Sequence, residues 1–545
     1  MHVETGPHPA PETTPARSPI GLTSLGLYAL AVAAYTLPFI GARALFYRDE
    51  VRYGGIVLEM MDRGAWLTQT IAGLPYLDKG PIYFMALRLG AEIAGAPSPA
   101  VFFAVNAVTV LLFAVFSHVA FRWLGTPEAL ARQAGLILLS LPFVAFYALT
   151  LRMDPLFAGV ILLSFAAFAR ALEGHTPRAW HLAGGAFAGL AILIKGPFGV
   201  MFPVGGIIAA ALVTGRARQL FCRDFAMALG LCAGIVALWV LALLFTFGWP
   251  ALVNIVEVQL VERAVSSVDG RKPWSTYLTA TLPILLPWIL LAPALIRARA
   301  GRDPAMVMWA VFTLFALVVM QSVAQKSAKY LFPVLPPMAL FLAIALARSE
   351  ARAPWAPRLV LGVTAVGLFL FFAMLWLGAA RESAWLGEAL EAAGGAALSE
   401  VALWGLVAAA AVLTGVWLRG SPRCLAAIFG TAILFTGIKA SLSEPLNRLY
   451  DPGPAVTMLA EALPPEAPVL VVDIYRGTFS WHLDRPHAYV TGSDAAAEAL
   501  RASPAPVGLI VNARLAETQP HWLSDAQRLG THVIETTVVG VYVIP

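Results

Sequence analysis

The chain has 545 residues, of which 59% are hydrophobic and only 13% charged, with a formal net charge of +5. Its mean hydropathy is +0.76. Soluble globular proteins carry about 25% charged residues, so this composition excludes a soluble protein and indicates a polytopic α-helical membrane protein. Loop arginines account for most of the positive excess, which therefore gives no argument for nucleic acid.

Residues 1–19 are rich in Pro, Thr and Ala and lack a small-residue cleavage site after a short apolar core. They are expected to form a disordered tail before an uncleaved first helix. Apolar stretches near the ~20 residues that cross a bilayer follow at 21–42, 100–121, 133–150, 155–170, 182–196, 198–214, 226–247, 279–296, 305–323, 330–347, 359–379, 401–418 and 424–441. They predict about thirteen transmembrane helices, and not a barrel. The stretch 80–95 is short for a span and contains Arg88 and Glu92. A helix lying at the interface suits it better. Cys222, Cys232 and Cys424 are scattered without metal-type spacing.

With 80–95 left uncrossed, alternate short loops carry Arg122 and Arg132; Arg170 and Arg178; Arg216, Arg218 and Arg223; Arg297, Arg299 and Arg302; Arg348, Arg352 and Arg358; and Arg419 and Arg423. The positive-inside rule then predicts a cytoplasmic N-terminus and an external C-terminal segment. The opposite loops hold the remaining charge. Asp49, Glu50, Asp78 and Lys79 lie in the long loop 43–99, and Arg152, Asp154 and Lys195 at later turns. Glu257, Glu262, Arg263, Arg271 and Lys272 lie in the loop 248–278, and Lys326 and Lys329 stand before Tyr330. Acids and bases collected at one membrane surface predict an active site there.

Residues 442–545 change character. "APVLVVDIY", "PVGLIVNARL" and "HVIETTVVGVYVIP" predict strands, and "DAAAEALRAS" and "WLSDAQRLG" predict helices. The expected unit is a small external α/β domain with an accessory role. No internal repeat is visible, which argues against a transporter built on inverted repeats.

Several stretches then resemble a known superfamily. Asp49-Glu50-x-Arg52-Tyr53, Gly64 to Thr68 and Tyr76-Leu77-Asp78-Lys79-Gly80-Pro81 resemble the first external loop of GT-C glycosyltransferases that use lipid-linked sugars. The likeness is to bacterial aminoarabinose transferases and to bacterial relatives of the protein O-mannosyltransferases. "LRMDP", "AILIKGPFG", "GRKPWSTYL" and "QKSAKYLFPVLPPMAL" follow in the family's order. The resemblance implies a GT-C-like catalytic domain over 20–441, in a bacterial inner membrane, with a periplasmic C-terminal domain. It further implies a polyprenyl-phosphate-linked sugar donor, an acceptor that is lipid A, a glycan or a protein, and direct displacement with inversion. Two departures stand out. The first Pro of the family's Lys-Pro-Pro is Gly80 here. Asp78 replaces a Glu, and "VEVQLVER" holds no His where aminoarabinose transferases use one in a metal site. A divalent metal is left open, with Asp78 as its candidate ligand.

Transfer from a lipid phosphate needs cations on the leaving phosphate and often a carboxylate for the acceptor. Lys79, Arg263, Arg271, Lys329 and Tyr330 are the phosphate candidates, with Arg52 and Tyr53 beside them. Asp49 is the candidate base or acceptor-positioning group, with Glu50 its neighbour and Asp154 its assistant. Several of the charged residues on this face have a plainer alternative. Arg48 and Arg52 pair with the two acids only to hold them; Asp154 caps a helix N-terminus; Lys195 caps a C-terminus; Lys326 and Lys329 snorkel; Arg271 binds headgroups. A transporter or flippase of a lipid-linked sugar is the competing function, although the spans hold few ionisable residues away from their ends.

Overall fold

In a bilayer every backbone amide must find its partner within the protein, and the apolar stretches do so as helices. The computed structural model describes residues 20–41, 43–46, 48–174, 177–254, 273–296, 303–323, 326–383, 386–387, 393–535 and 537–545. Among these, nine helices are long and apolar enough to cross a membrane, or eleven if each of two bent pairs is one span. The bent pairs are α5 (Glu128–Ser140) with α6 (Pro142–Ala148), at 72°, and Thr276–Ile284 with Trp288–Leu295, at 90°. The two other expected spans are helices as well, α8 (Pro177–Lys195) and α9 (Phe198–Val213). Sixteen residues make α9 about 24 Å long, somewhat short of a full crossing.

The bundle is organised around α7 (Asp154–Ala171), almost wholly buried among α4 (Pro99–Trp123), α8 and α9. Helix α1 (Leu22–Thr36) packs on α4 and on the last long helix, Ser421–Tyr450. Between α1 and α4 lie α2 (Asp49–Asp62), the two-stranded hairpin β1 (Thr70–Ile71) and β2 (Leu74–Pro75), and α3 (Ile82–Ala94). At thirteen residues α3 is about 20 Å long, too short to cross. Its Arg88 is buried and donates to the carbonyls of Met60 and Ala65 at 2.9 and 2.6 Å, closing off the end of α2.

The helix Ser421–Tyr450 runs about 45 Å, longer than a hydrocarbon core is thick, and leads into the C-terminal domain. There a helix, Gly453–Ala462, precedes a five-stranded sheet of order β4-β3-β5-β7-β6. The strands are β3 (Val469–Val472), β4 (His487–Val490), β5 (Val507–Asn512), β6 (Gln527–Ile534) and β7 (Thr537–Ile544). β3 pairs in parallel with β4 and β5; β7 is antiparallel to β5 and β6. The helix expected over "DAAAEALRAS" is present as Ser493–Ala502. The one expected over "WLSDAQRLG" is not: after a single turn at His521–Leu523 the chain enters β6, an exposed edge strand. "HVIETTVVGVYVIP" is likewise a hairpin, the end of β6 and all of β7.

The domain sits directly on α2. A side chain at Gly54 would meet Trp481 and Leu45 at 2.6 and 2.7 Å, and one at Gly55 would meet Ser480 at 2.6 Å. The Gly-Gly pair that follows the acidic motif therefore marks the contact face between membrane portion and domain. Trp481 also meets Phe102 of α4 edge-on, at 5.5 Å between ring centroids.

Candidate active site

Successive side chains leave a helix about 100° apart, and the two adjacent acids at the start of α2 go to different places. Glu50 turns inward and is 5% exposed. Its carboxylate accepts from both arms of Arg43 at 2.7 and 2.8 Å, and from the amides of Phe46 and Leu151 at 2.9 and 3.0 Å. These bonds tie the segment before α2 to the segment before α7. The acceptor capacity of Glu50, expected beside Asp49 in the chemistry, is taken up by these bonds, and Glu50 is not among the residues lining the cavity described next.

Asp49 faces that cavity, of about 1090 Å³. The lining comes from stretches far apart in sequence. Arg48, Asp49, Arg52 and Tyr53 come from the start of α2, and Tyr76 to Lys79 follow the hairpin. Arg152 to Asp154 stand at the start of α7, Lys195 ends α8, and Lys329 and Tyr330 complete the membrane contribution. The antiparallel run of α7 and α8 explains two of these. A helix beginning at Asp154 and another ending at Lys195 bring their charged termini to one end of the bundle.

Both oxygens of Asp49 are engaged. Oδ1 accepts from Arg52, Oδ2 accepts from Arg152, and the Lys329 ammonium stands 4.0 Å from Oδ2. Asp154, 4% exposed, accepts from Lys195, whose ammonium lies 4.9 Å from the centre of the Tyr330 ring. The cap position of α7 is held by Met153, and the Asp154 carboxylate is directed to Lys195. Lys195 in turn does more than end a helix. Tyr76, Tyr475 and Tyr53 surround the Arg52 guanidinium, at 5.4, 4.7 and 5.9 Å from their ring centres. Burial works against the charge of Arg52, but the tyrosines and Asp78 hold it more firmly protonated than usual. Burial pushes the Tyr53 phenol well up, so Tyr53 is a neutral hydrogen-bond donor here.

Among the described residues, seven Lys and Arg side chains against four acidic ones line the space. The excess makes it a receptor for anions. The described residues do not by themselves suit a divalent metal. Among the described residues no three of His, Cys, Asp and Glu gather, and the charges next to Asp78 include the guanidiniums of Arg52 and Arg476. Arg263 and Arg271 lie outside the described residues. Lys326 is not in the lining; it donates to the carbonyl of Val323 at 3.0 Å.

The departure at Gly80 has a steric basis. A side chain there would stand 2.1 Å from the carbonyl oxygen of Leu193, so the loop bearing Asp78 and Lys79 lies directly on the last turn of α8. Sequence reasoning missed Tyr475, Arg476 and Glu535, which reach the cavity from the C-terminal domain. No periodicity or motif distinguishes them from ordinary surface residues.

Comparison with known proteins follows the same lines. The profile of the dolichyl-phosphate-mannose-protein mannosyltransferase family matches residues 78–245. The undecaprenyl phosphate-alpha-4-amino-4-deoxy-L-arabinose arabinosyl transferase 1 of Pseudomonas fluorescens (strain Pf0-1) is 28% identical over 335 residues, 58% of this chain and 56% of that protein. The corresponding transferase of Edwardsiella ictaluri is 28% identical over 337 residues, 58% of each chain. The matches thus span somewhat over half the length of these relatives. The crystal structure of ArnT from Cupriavidus metallidurans bound to undecaprenyl phosphate superimposes with a TM-score of 0.74 at 21% identity, covering 95% of this chain and 97% of that one. The chain therefore shares the fold of that membrane protein, and over somewhat more than half its length it is similar in sequence to the undecaprenyl-phosphate arabinosyl transferases.

Proposed function

We propose that this protein is a membrane glycosyltransferase. It moves a sugar from a polyprenyl-phosphate carrier to an envelope acceptor, on the outer face of a bacterial inner membrane. The observation that carries the reading is the cation-rich cavity assembled from α2, the Tyr76–Lys79 stretch, α7, α8 and the Lys329–Tyr330 turn. The sequence similarity to undecaprenyl-phosphate arabinosyl transferases supplies the donor class. The loop arginines on the other side of the spans support a cytoplasmic N-terminus and an external C-terminal domain.

In this reading Lys79, Arg152, Lys195 and Lys329, with the Tyr330 hydroxyl, receive the donor phosphate. The carrier tail approaches along Phe247, Pro250 and Ala251, at the end of the span Arg223–Phe247. Leu238, Leu241 and Phe245 of that span are exposed and apolar. As the acceptor oxygen attacks the anomeric carbon, the bond from that carbon to the phosphate oxygen breaks on the opposite face. The electron pair stays on the phosphate, whose negative charge grows, and the surrounding cations stabilise it more in the transition state than before. Asp49 is held between Arg52 and Arg152, with both carboxylate oxygens engaged. It fixes the two arginines at the cavity, and an acceptor whose attacking oxygen is already ionised, such as a phosphate group, suits those cations better than an alcohol. With such an acceptor no proton has to move. Asp154 keeps the Lys195 ammonium in place. Arg263 and Arg271 belong to this reading as further phosphate ligands.

The test is transfer by the purified full chain in liposomes, supplied with undecaprenyl phosphate-linked aminoarabinose and lipid A. Mass spectrometry should find a sugar on the acceptor, lost in Asp49→Asn. Unmodified acceptor after incubation with the wild-type protein, under conditions where a known arabinosyl transferase works, argues against this donor and acceptor. Lost envelope sugar in cells lacking the chain would then identify the actual pair.

A further inference from the structure

The C-terminal domain reaches into the cavity through one short loop, and that loop touches the charged centre. It leaves the carboxyl end of β3, the place where open α/β sheets present ligand-facing residues. Its root is firmly held: the Asp473 side chain accepts from the amide of Gly492 at 2.7 Å, and its carbonyl accepts from Asn512 at 3.1 Å, so the ends of β3, β4 and β5 are tied together. Tyr475 then accepts a hydrogen bond from Nη1 of Arg52, while Nη2 of Arg52 donates to Asp49. Arg476 donates to the carbonyls of Ile71 and Leu74, both at 3.0 Å, gripping the hairpin that leads to Asp78 and Lys79. Gly477, at φ +91°, lets the backbone pass where a side chain would stand 2.7 Å from Cγ of Arg52.

An arginine three residues from an aspartate on one helix is free to close on it with both arms of its fork. In that arrangement Arg52 would occupy both oxygens of Asp49 and exclude Arg152. Tyr475 holds Nη1, which fixes the guanidinium in an orientation that meets Asp49 through Nη2 alone and leaves Nε without a partner among the described residues. One oxygen of Asp49 is thereby left to Arg152 and to whatever enters beside Lys329. We infer that Tyr475 is a positioning residue of the transfer site, contributed by the C-terminal domain and acting through Arg52 on Asp49, and that Arg476 holds the Lys79 loop in register with it. The domain is a wall of the site, and not only an accessory to it. This inference rests on the cavity being the transfer site.

The experiment compares the full-length wild type with Tyr475→Phe, Arg52→Lys and the double variant in the liposome assay, with undecaprenyl phosphate-linked aminoarabinose as donor. Tyr475→Phe keeps the ring and removes only the hydroxyl. It is expected to lower kcat about tenfold, the scale of one hydrogen bond to a charged group. The KM for donor and the thermal unfolding temperature should stay close to wild type, a split that a merely structural role would not produce. In the double variant the losses should fail to multiply, because the hydroxyl acts only through Arg52. A wild-type kcat in Tyr475→Phe, or losses that multiply in the double variant, overturns the inference while leaving the assigned function in place. A wild-type protein without transfer from this donor counts against the donor and acceptor named above, and the same variants are then compared on the pair that the envelope analysis identifies, with the same outcomes deciding.

Discussion

The two ends of the helical bundle both bury charge, and they use it differently. Away from the cavity, Glu128 accepts from Ser24 at 2.6 Å and pairs with His118 at 3.0 Å and Arg122 at 3.2 Å, while Tyr28 meets the other nitrogen of His118 at 2.9 Å. Nearby in the fold, Arg423, 1% exposed, pairs with Glu350 and donates to the carbonyl of Gly415 at 3.0 Å, and Glu350 also accepts from the amide of Gly420 at 2.9 Å. His118 stands about 18 Å along α4 from Asn106, whose side chain accepts from the amide of Arg152. Here each charge is matched by a partner or a backbone group, and neither cluster lines the large cavity. At the other end, among the described residues, cations outnumber acids around open space. Buried charge alone does not mark a site in a membrane protein; an excess of one sign beside a cavity does.

Substitutions that separate stability from transfer test this contrast. The largest effect is expected at Glu350→Ala, which leaves the Arg423 guanidinium buried without its partner. It should destabilise by about 3–5 kcal/mol, read as a lower unfolding temperature in detergent, with transfer per folded molecule unchanged. Asp49→Asn should do the reverse. Unfolding should stay near wild type while kcat falls by about 10²–10³. Equal losses of stability in both variants would erase the distinction between the two ends. Tyr28→Phe is milder. It strips the hydroxyl from a fully buried His118 nitrogen and should cost about 1–3 kcal/mol of stability, again without a change in transfer.

The sequence made the helices and part of the candidate site legible, for one physical reason. A span needs about twenty apolar residues, so hydropathy exposes it directly, and a charge at a span edge is costly enough to call for an explanation. Asp49, Lys79, Asp154, Lys329 and Tyr330 stood out on those grounds, and the fold brings them to one cavity. Glu50 could not be separated from Asp49, because adjacency in sequence does not say which of two directions 100° apart meets open space. Lys195 was readable equally as a helix cap, and only its contact with Asp154 distinguishes the two. Tyr475 and Arg476 gave no signal, because a polar residue in a water-facing domain costs nothing and so says nothing. β6 was misread as helix for a related reason: an edge strand with one exposed face carries a weak alternation that a short amphipathic helix imitates.

The smallest effect is expected at the rim, where Arg48 and Glu535 stand 3.8 Å apart with side chains 55% and 37% exposed. This pair links the start of α2 to the turn after β6, and both members line the cavity. Water reaches it from outside, so its attraction is screened, and ordering two long side chains offsets most of what remains. Glu535→Gln should therefore change stability by less than about 1 kcal/mol, and transfer by no more than about twofold. Adding salt should shrink even that difference, since the interaction is ionic and exposed. The backbone bond from Glu535 to the carbonyl of Leu449, at 2.7 Å, is kept in the variant, so any change reports on the side chain. A tenfold loss of transfer that survives high salt would mean that this pair is desolvated during turnover. The site would then extend outward to the turn after β6, and the contrast between charged centre and solvated rim would have to be redrawn.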